Sequence, residues 1–447
     1  MHTNSNTYLE NKKMILVLGG TTEGRIAVQT LEEAGKPFYY STKGYEQDIP
    51  LHNGIRLQGG MDKDAMESFC RKENISLLID AAHPFAEELH RNVNDVSDKL
   101  QIPAILYDRI YPRIEKHDGI VWCDSFEDAV QKIKKEEVYI LLALTGVKSI
   151  GKLKALWQES CRCYFRILDR ESSRELARSE AFPEEYLRYY HAGEDERLLI
   201  RQIRPDAIVI KESGASGGFS EKVEAAQELG IRIFIIKRPP LQPNLLPVNG
   251  RHGLRRMVEL YHPGFYDLRS GFTTGTCAAA AAAAAIWDIF NLDGTPRPPE
   301  FIVTLPNGEM IGVPVEPQKQ RPRSSSVNDN WMVESEACVI KDAGDDPDIT
   351  NGMQIKVNIA LPFNMDEVNS GKQQDDYNII IAGGEGIGIV TMPGLGLELG
   401  APAINPTPRK MIEENVRMYL SYVGVPKMSN PIVVTISVPG GEEIAKR

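Results

Sequence analysis

The sequence predicts an α/β protein in which two lobes with parallel sheets are followed by a separate domain of α+β or α/β type. Three observations predict this fold. Short apolar runs alternate with helical patterns through the first 245 residues, and glycine-rich turns follow several of these runs. Beyond about Tyr261 this alternation stops, and glycine- and proline-rich segments and a long alanine run follow. Strand–helix alternation of this kind produces a parallel sheet that is covered by helices on both faces.

The alternation occurs in two sets, and each set predicts one Rossmann-like lobe, residues 14–115 and 116–245. Each run is short and apolar, as in strands buried on both faces of a sheet. The runs of the first set are Met14–Leu18, Phe38–Tyr40, Leu77–Ile79 and Ala104–Tyr107. Those of the second set are Val138–Leu144, Tyr164–Leu168, Ala207–Ile210 and Arg232–Ile236.

A proline-containing linker, residues 246–265, is predicted to join the lobes to a third domain, residues 266–447. The prolines of residues 237–250 favour extended backbone there. In the third domain, the alanines of Ala278–Ala285 predict a helix. A second helix is expected to end near Tyr422, and a strand is expected at Pro431–Val438.

Composition narrows the class of protein. The 447 residues suggest two to four domains, and 51 basic against 62 acidic residues argue against nucleic acid as a partner. None of the six cysteines forms a C-x-x-C pair, which is typical of reduced thiols in the cytoplasm. No apolar stretch is long enough to span a membrane. We therefore expect a cytoplasmic protein that binds neither a membrane nor a metal ion. The sequence does not decide whether the protein forms a homo-oligomer.

Two glycine-rich loops follow predicted strands and precede predicted helices. Glycines there let backbone N–H groups approach a phosphate at a helix N-terminus, so the loops predict a dinucleotide bound across the cleft. The alternative is a plain tight turn in each case. The candidate cofactor ligands are Gly19, Gly20, Thr21, Thr22 and Glu23 in the first loop and Lys211, Ser213, Gly214, Ser216, Gly217 and Gly218 in the second.

The residues after the second strand bear on the choice of cofactor. NAD enzymes usually place an acidic residue there for the ribose, whereas this chain has Ser41 and Lys43. These residues favour the 2′-phosphate of NADPH, although NADH stays open and a solvated loop is the alternative. His83, which precedes a proline at a strand end, is the candidate catalytic residue, with a purely structural histidine as the other interpretation.

Five stretches of residues 14–240 together resemble the precorrin-6A reductases of cobalamin biosynthesis. The resemblance implies a two-lobed enzyme that transfers a hydride from NAD(P)H to the C18–C19 double bond of a corrinoid. Because that substrate carries many carboxylates, it implies a use for cations such as Arg109, Arg113, Arg166 and Lys148; surface solvation is the alternative for each. The stretches are Ile15–Arg25, Asp80–Ala86, Leu144–Gly146, Lys211–Gly218 and Ile236–Pro239.

Further candidates lie in the third domain. Thr273, Thr274 and Thr276 precede the alanine run as a helix cap, and Cys277 is disfavoured as a nucleophile because no histidine follows His262. The acidic residues of 341–350 predict a structured turn rather than a metal site. The glycines of 381–391 and 393–396 predict a hairpin or a loop against a ligand. Arg409 and Lys410, in the first turn of a helix, are expected to contact an anion.

The stretches Thr273–Ala278, Lys341–Asp348 and Ala403–Lys410 resemble the cobalt-precorrin-5B C1-methyltransferases. The resemblance implies methyl transfer from S-adenosylmethionine to C1 of the macrocycle, with the threonines, Arg409 and Lys410 as candidate substrate ligands. Members of that family continue past the stretch that matches Ser437–Arg447, so we expect an incomplete methyltransferase that binds S-adenosylmethionine poorly. The alternatives are a working reductase with an inactive methyltransferase fragment and a corrinoid-binding protein without turnover.

Overall fold

The computed structural model divides the chain into two compact units, Met1–Pro247 and Val248–Arg447. It describes residues 13–44, 49–111, 117–191, 193–291, 295–318, 321–327, 330–364, 376–392, 396–427 and 430–444.

The first unit contains two six-stranded sheets. In the first sheet, five strands run parallel in the spatial order β5-β4-β1-β2-β3. Every residue of the central strand β1 is buried, which explains its uninterrupted apolar sequence. The elements are β1 (Met14–Leu18), α1 (Thr22–Glu32), β2 (Phe38–Thr42), β3 (Gly54–Gln58), α2 (Lys63–Lys72), β4 (Ile75–Asp80), α3 (Glu87–Leu100) and β5 (Ala104–Tyr107).

The second sheet is parallel throughout, in the order β6-β11-β10-β7-β8-β9. The order reverses direction between β7 and β10, and loops at such a point are available to ligands. The elements are β6 (Ile120–Cys123), α4 (Phe126–Lys135), β7 (Ile140–Ala143), α5 (Lys154–Trp157), β8 (Arg162–Leu168), α6 (Glu171–Ser179), β9 (Leu187–Tyr190), α7 (Glu196–Ile203), β10 (Ala207–Lys211), α8 (Phe219–Glu228) and β11 (Arg232–Ile236).

The segment predicted as a linker has regular structure. Strand β12 (Leu245–Val248) joins the edge of the first sheet beside β5, and helix α9 (Gly250–Tyr261) follows at once. The prolines do keep β12 extended, but the pattern from Gly250 onward is amphipathic, and Leu254 and Val258 are buried. Strand β12 and helix α9 therefore occupy most of residues 246–265, the range predicted to be a proline-containing linker.

The second unit is of the α+β type. Its elements are α10 (Thr274–Phe290), β13 (Glu300–Thr304), β14 (Met310–Pro314), β15 (Arg323–Val327), β16 (Asn330–Ile340), β17 (Gln354–Asn364), β18 (Ile379–Gly383), α11 (Pro406–Tyr422), β19 (Ile432–Ser437) and α12 (Gly441–Ile444). Strands β13 and β14 form a hairpin. The other strands form one sheet, β15-β16-β17-β19-β18, in which only the β18–β19 pairing is parallel.

Helix α10 lies in the core of this unit. All eight alanines are buried, and their small side chains let neighbouring elements approach closely. A Cβ on Gly275 would lie 2.9 Å from Pro408 Cβ, so the N-terminal ends of α10 and α11 are packed together. The predicted helices and the strand at Pro431–Val438 are confirmed. Residues 384–391 form a loop rather than a hairpin strand, and residues 393–395 lie outside the described residues.

Candidate active site

The first glycine loop connects β1 to α1. Gly20 has φ of +110° and nothing within 4 Å of where a Cβ would be, which leaves the backbone open on that side. Thr21 caps α1: its Oγ1 accepts from Gly24 N at 3.2 Å and donates to the Ala81 carbonyl at 2.7 Å. The cap thereby ties this loop to the segment after β4.

The second glycine loop connects β10 to α8 and is tightly packed. A Cβ on Gly214 would lie 2.6 Å from Arg109 Cβ, and one on Gly217 would lie 2.3 Å from Ser213 Oγ. Gly218 is in the left-handed region at the start of α8. Lys222 Nζ donates to the Gly217 carbonyl at 2.6 Å, so the loop is held from the helix that follows it.

Glu23 joins the two loops. Its carboxylate, in the first turn of α1, accepts a hydrogen bond from Ser216 of the second loop. It also accepts from Arg109 Nη2 at 2.9 Å, and Arg109 Nη1 donates to the Ser213 carbonyl at 2.7 Å. Both charged side chains are 6% exposed. The structure thus brings together two loops that the sequence separates by almost two hundred residues.

Arg109 was predicted to contact substrate, but the structure directs its Nη groups inward. They bind Glu23 and Ser213, and the buried Nε has no partner among the described residues. Arg166 is similarly engaged, with its guanidinium paired with Glu194 and Glu196. Their surroundings therefore favour structural roles over direct contact with substrate. Lys148 is exposed in the turn after β7, and Arg113 lies outside the described residues.

His83 is held as a neutral imidazole. Its Nδ1 accepts from Phe85 N at 3.2 Å, which leaves the ring proton on Nε2. Burial, followed by the positive charges of Lys211 and Arg109, lowers the pKa of His83 to about 3. An imidazole with this pKa can donate a hydrogen bond from Nε2, but it carries no excess proton at neutral pH.

A second histidine, His90, holds the loop on which His83 lies. His90 Nδ1 is 2.6 Å from Asp80 Oδ2, and Nε2 is 3.0 Å from the His83 carbonyl. Burial opposes the charged form, but the hydrogen bond to Asp80 and its charge outweigh it and raise the pKa of His90. Sequence reasoning missed this residue; the only signal was its position seven residues after His83, on the following helix.

Lys211 lies at the end of β10, beside this loop. Its Nζ is 5.1 Å from the centroid of the Phe85 ring. Burial, followed by the charges of other cations, lowers its pKa to about 8. Sequence reasoning placed Lys211 with the cofactor loop, whereas its side chain contacts Phe85 on the His83 segment.

Ser41 and Lys43 differ in their surroundings. Ser41, the last residue but one of β2, is buried, and its carbonyl accepts from Gly19 N at 2.9 Å. Lys43 is exposed just beyond that strand. The lysine is therefore accessible to an anion near the first glycine loop, whereas Ser41 supports the loop through its backbone.

In the second unit, the predicted threonines cap α10. Thr273 Oγ1 accepts from Thr276 N at 3.1 Å, and Thr274 Oγ1 lies 3.5 Å from Thr350 Oγ1. Cys277 is buried, and burial raises its pKa to about 12, which agrees with its rejection as a nucleophile.

The acidic segment 341–350 is a turn held by ion pairs. The fully buried Lys341 donates from Nζ to Asp348 Oδ2 at 2.5 Å, and Arg269 donates to both oxygens of Asp342. The hydrogen bond from Lys341, with those from Thr350, lowers the pKa of Asp348 to about 2. Among the described residues, no three His, Cys, Asp or Glu side chains converge as metal ligands.

Lys410 lies beside a groove of about 320 Å³ at the start of α11. Its Nζ is 3.6 Å from Glu414 Oε1, and the side chain is exposed. Arg409 is its neighbour in the first helical turn. Since the N-terminal end of α10 packs against Pro408, the structure brings these cations and the threonine cap to the same end of the helix pair.

The fold and the joined loops define a two-lobed α/β protein of the Rossmann type, extended by an α+β domain. The chain belongs to the family described as precorrin-6x reductase CbiJ/CobK, whose sequence profile matches residues 14–259. The CbiD profile matches residues 262–447, so the chain is a fusion of the two. Both resemblances noted in the sequence are confirmed, as is the predicted fold class.

Curated relatives of the second region carry the name cobalt-precorrin-5B C(1)-methyltransferase. The protein of Prosthecochloris aestuarii is 41% identical over 181 residues, which are 40% of this chain and 42% of the relative. That of Moorella thermoacetica is 41% identical over 180 residues, 40% of each chain. This chain therefore spans about two-fifths of the length of these relatives.

A solved structure described as CobK precorrin-6A reductase is similar to the first region. It is 21% identical, covers 56% of this chain and 98% of its own, and has a TM-score of 0.47. Within the described residues, none of the helices has the length and apolar character needed to cross a membrane.

Proposed function

We propose that this chain catalyses two consecutive reactions of cobalamin biosynthesis in the cytoplasm. Residues 14–259 reduce precorrin-6A, or its cobalt form, with NAD(P)H. Residues 262–447 methylate C1 of cobalt-precorrin-5B with S-adenosylmethionine and so supply the substrate for that reduction. Membership of the reductase family, the match to CbiD and the names of the curated relatives support the pairing.

The observation that carries the reductase proposal is the junction of the two glycine loops through Glu23. A dinucleotide has two phosphates and two ribose rings, and a site made from both loops can bind both halves. The open backbone at Gly20 suits a phosphate at the start of α1, where Thr22 adds a hydroxyl group and the Thr21 cap holds the loop in place. When bound there, reduced nicotinamide supplies a hydride.

The second loop would hold the remaining half of the cofactor with Ser213, Gly214, Ser216, Gly217 and Gly218. The lack of space at Gly214 and Gly217 supports this role, because a side chain at either position would move the loop. Lys43 is exposed near the first loop and favours NADPH over NADH, because a cation can pair with the 2′-phosphate.

The substrate would lie against the segment that carries His83. The neutral ring can donate from Nε2 to a carboxylate or carbonyl oxygen, and Lys148 adds an exposed cation nearby. In the second unit, the cap of α10 and the cations Arg409 and Lys410 would contact the carboxylates of the other substrate.

One incubation tests both proposed activities. The whole chain is mixed with cobalt-precorrin-5B, S-adenosylmethionine and NADPH, and the corrinoid is analysed by mass spectrometry. We expect a gain of one methyl group plus two hydrogens, and of the methyl group alone when NADPH is omitted. A corrinoid that binds but does not change mass would replace both activities with a binding function. Reduction of supplied precorrin-6A without methylation would contradict the second activity alone.

A further inference from the structure

Lys211 is a partly buried cation that lies against the ring of Phe85. Charged side chains inside proteins are normally paired, because burial penalises the charged form. Among the described residues, none forms an ion pair with Lys211, whose contact is the face of Phe85. Phe85 follows His83 by two residues, so the ammonium group is held beside the segment proposed to face the substrate.

The charged groups that act most strongly on Lys211 are positive. Burial is the largest cause of its lowered pKa, about 8, and neighbouring cations add to it. A proton donor works best when its pKa is near the working pH, and Lys211 meets this condition. The charged groups are Lys148 and Lys152 after β7, Lys222 on α8 and Arg109 after β5. His83, on the segment after β4, also faces Lys211 and is neutral.

The proposed reduction requires a proton as well as a hydride. His83 is poorly suited to supply it, since Phe85 N occupies the Nδ1 lone pair and the ring stays neutral at physiological pH. His90 is committed to Asp80 and the His83 carbonyl. Lys222 donates to the Gly217 carbonyl. Within the part of the chain that the structure describes, Lys211 donates no such hydrogen bond.

We propose that Lys211 is the proton donor of the reductase, acting on the carbon next to the one that receives the hydride. This inference rests on the proposed reductase function. One carbon of the corrinoid double bond gains the hydride with its electron pair from NADPH. The electron pair of the double bond forms the second C–H bond with a proton from the Lys211 ammonium, and the N–H bond breaks. Nicotinamide is oxidised, the ring is reduced by two electrons, and solvent returns the proton to the amine.

Two substitutions separate a proton donor from a simple cation. Lys211→Arg keeps the positive charge but releases no proton at neutral pH, and Lys211→Gln removes the charge. We expect both to lower kcat by roughly 10²–10⁴-fold, the usual contribution of a general acid, with NADPH affinity retained. In the wild type, kcat should fall above about pH 8 as the ammonium is lost. That limb of the pH profile should be absent in Lys211→Arg.

A measurement without turnover accompanies these assays. The rate at which acetic anhydride acylates each lysine is followed against pH by peptide mass spectrometry on the whole chain. We expect Lys211 to become reactive near pH 8. Lys132, which is paired with Asp128 at 2.6 Å and has a raised pKa, should react only at higher pH. Lys132→Arg is the matched control and should keep wild-type kcat and pH profile.

Several results would overturn the inference. If Lys211→Arg reduces the corrinoid at the wild-type rate, the residue is an anion ligand rather than a proton donor. If Lys211→Gln raises KM and leaves kcat unchanged, Lys211 is likewise an anion ligand rather than a proton donor. If Lys211 is acylated only at the higher pH at which ordinary lysines react, its pKa is not near 8 and the proposed proton donor is contradicted. If wild type transfers no hydride to the corrinoid at all, the proposed reductase function fails, and the donor role falls with it.

Discussion

Arg109 Nη2 donates to Glu23 Oε2 at 2.9 Å, and this bond joins the end of β5 to the first turn of α1. Because Arg109 also binds Ser213 and Glu23 also binds Ser216, one buried ion pair fixes both glycine loops. Removing one partner of such a pair leaves the other charge buried without compensation, which is why the pair matters to the proposed cofactor site.

The first prediction concerns this ion pair. Arg109→Ala or Glu23→Ala should each reduce the free energy of unfolding by roughly 3–5 kcal/mol and weaken NADPH binding. The double variant should lose less than the sum of the two, because it leaves no unpaired charge. Urea denaturation and calorimetric titration give both quantities. Glu67→Ala, which removes the partner of the exposed side chains of Arg71 and Lys99, should cost much less, because solvent screens such surface pairs. Full additivity would show that the pair is not coupled.

The second prediction concerns the glycines. Gly20→Val and Gly217→Val should weaken NADPH binding by more than ~1.4 kcal/mol, or tenfold. At Gly20 the side chain would require a φ that valine avoids, and at Gly217 it would displace Ser213. Gly35→Val is the control, because Gly35 also has a positive φ with open space around it but lies after α1. Unchanged calorimetric titrations in both folded loop variants would remove the loops from the cofactor site.

The third prediction uses the opposite pKa shifts of His83 and His90. The pKa of His83 is lowered to about 3, so the unfolded chain binds its proton more readily between that value and the ordinary 6.5. Stability is therefore lost as the pH falls below 6.5, by about 2 kcal/mol at pH 5. His83→Gln should flatten this loss in urea titrations performed at several pH values.

His90 should behave in the opposite way. Its raised pKa contributes stability that is fully present below pH 6.5 and is lost as the pH rises through the folded-state value. His90→Gln should consequently cost more stability at pH 6 than at pH 9. Parallel pH profiles for the two variants would contradict the assigned protonation states. If His83→Ala lowers the melting temperature but keeps activity per folded molecule, His83 is structural and leaves the proposed active site.

The fourth prediction concerns Cys277. Burial holds its thiol protonated at neutral pH, so it has no role as a nucleophile in the proposed methyl transfer. Cys277→Ala should keep the rate of methyl transfer from labelled S-adenosylmethionine to cobalt-precorrin-5B, because alanine fits an already alanine-lined helix. Loss of methyl transfer in a folded variant would show that the thiol is needed.

The sequence predicted the strands of the first unit well because they are buried on both faces. Apolar runs such as Met14–Leu18 and Arg232–Ile236 have few alternatives, and the structure places strands at those residues. Local rules also predicted the cap of α10, because Thr273 and Thr276 are neighbours in the chain. Helix α9 was not predicted, because the prolines that precede it favour extended backbone and the whole segment was interpreted as a linker.

The sequence indicated the two glycine loops of the candidate site, but it did not indicate the contacts that join them. Glycine loops are visible as local patterns, but the Glu23–Arg109 pair depends on a distance in space that no spacing reveals. For the same reason Arg109 was assigned to the substrate. The surroundings that lower the pKa of His83 and Lys211 come from several loops, so residue type alone suggested the histidine as the catalytic residue.

Deuterium transfer tests the central proposal, hydride transfer to the corrinoid, most directly. The whole chain is incubated with precorrin-6A and NADPH that carries deuterium at the transferable position of C4, and the product is analysed by mass spectrometry. We expect one deuterium and one solvent-derived hydrogen in each reduced corrinoid. A product that gains no deuterium from either face of the nicotinamide, or a corrinoid that is never reduced, would contradict it.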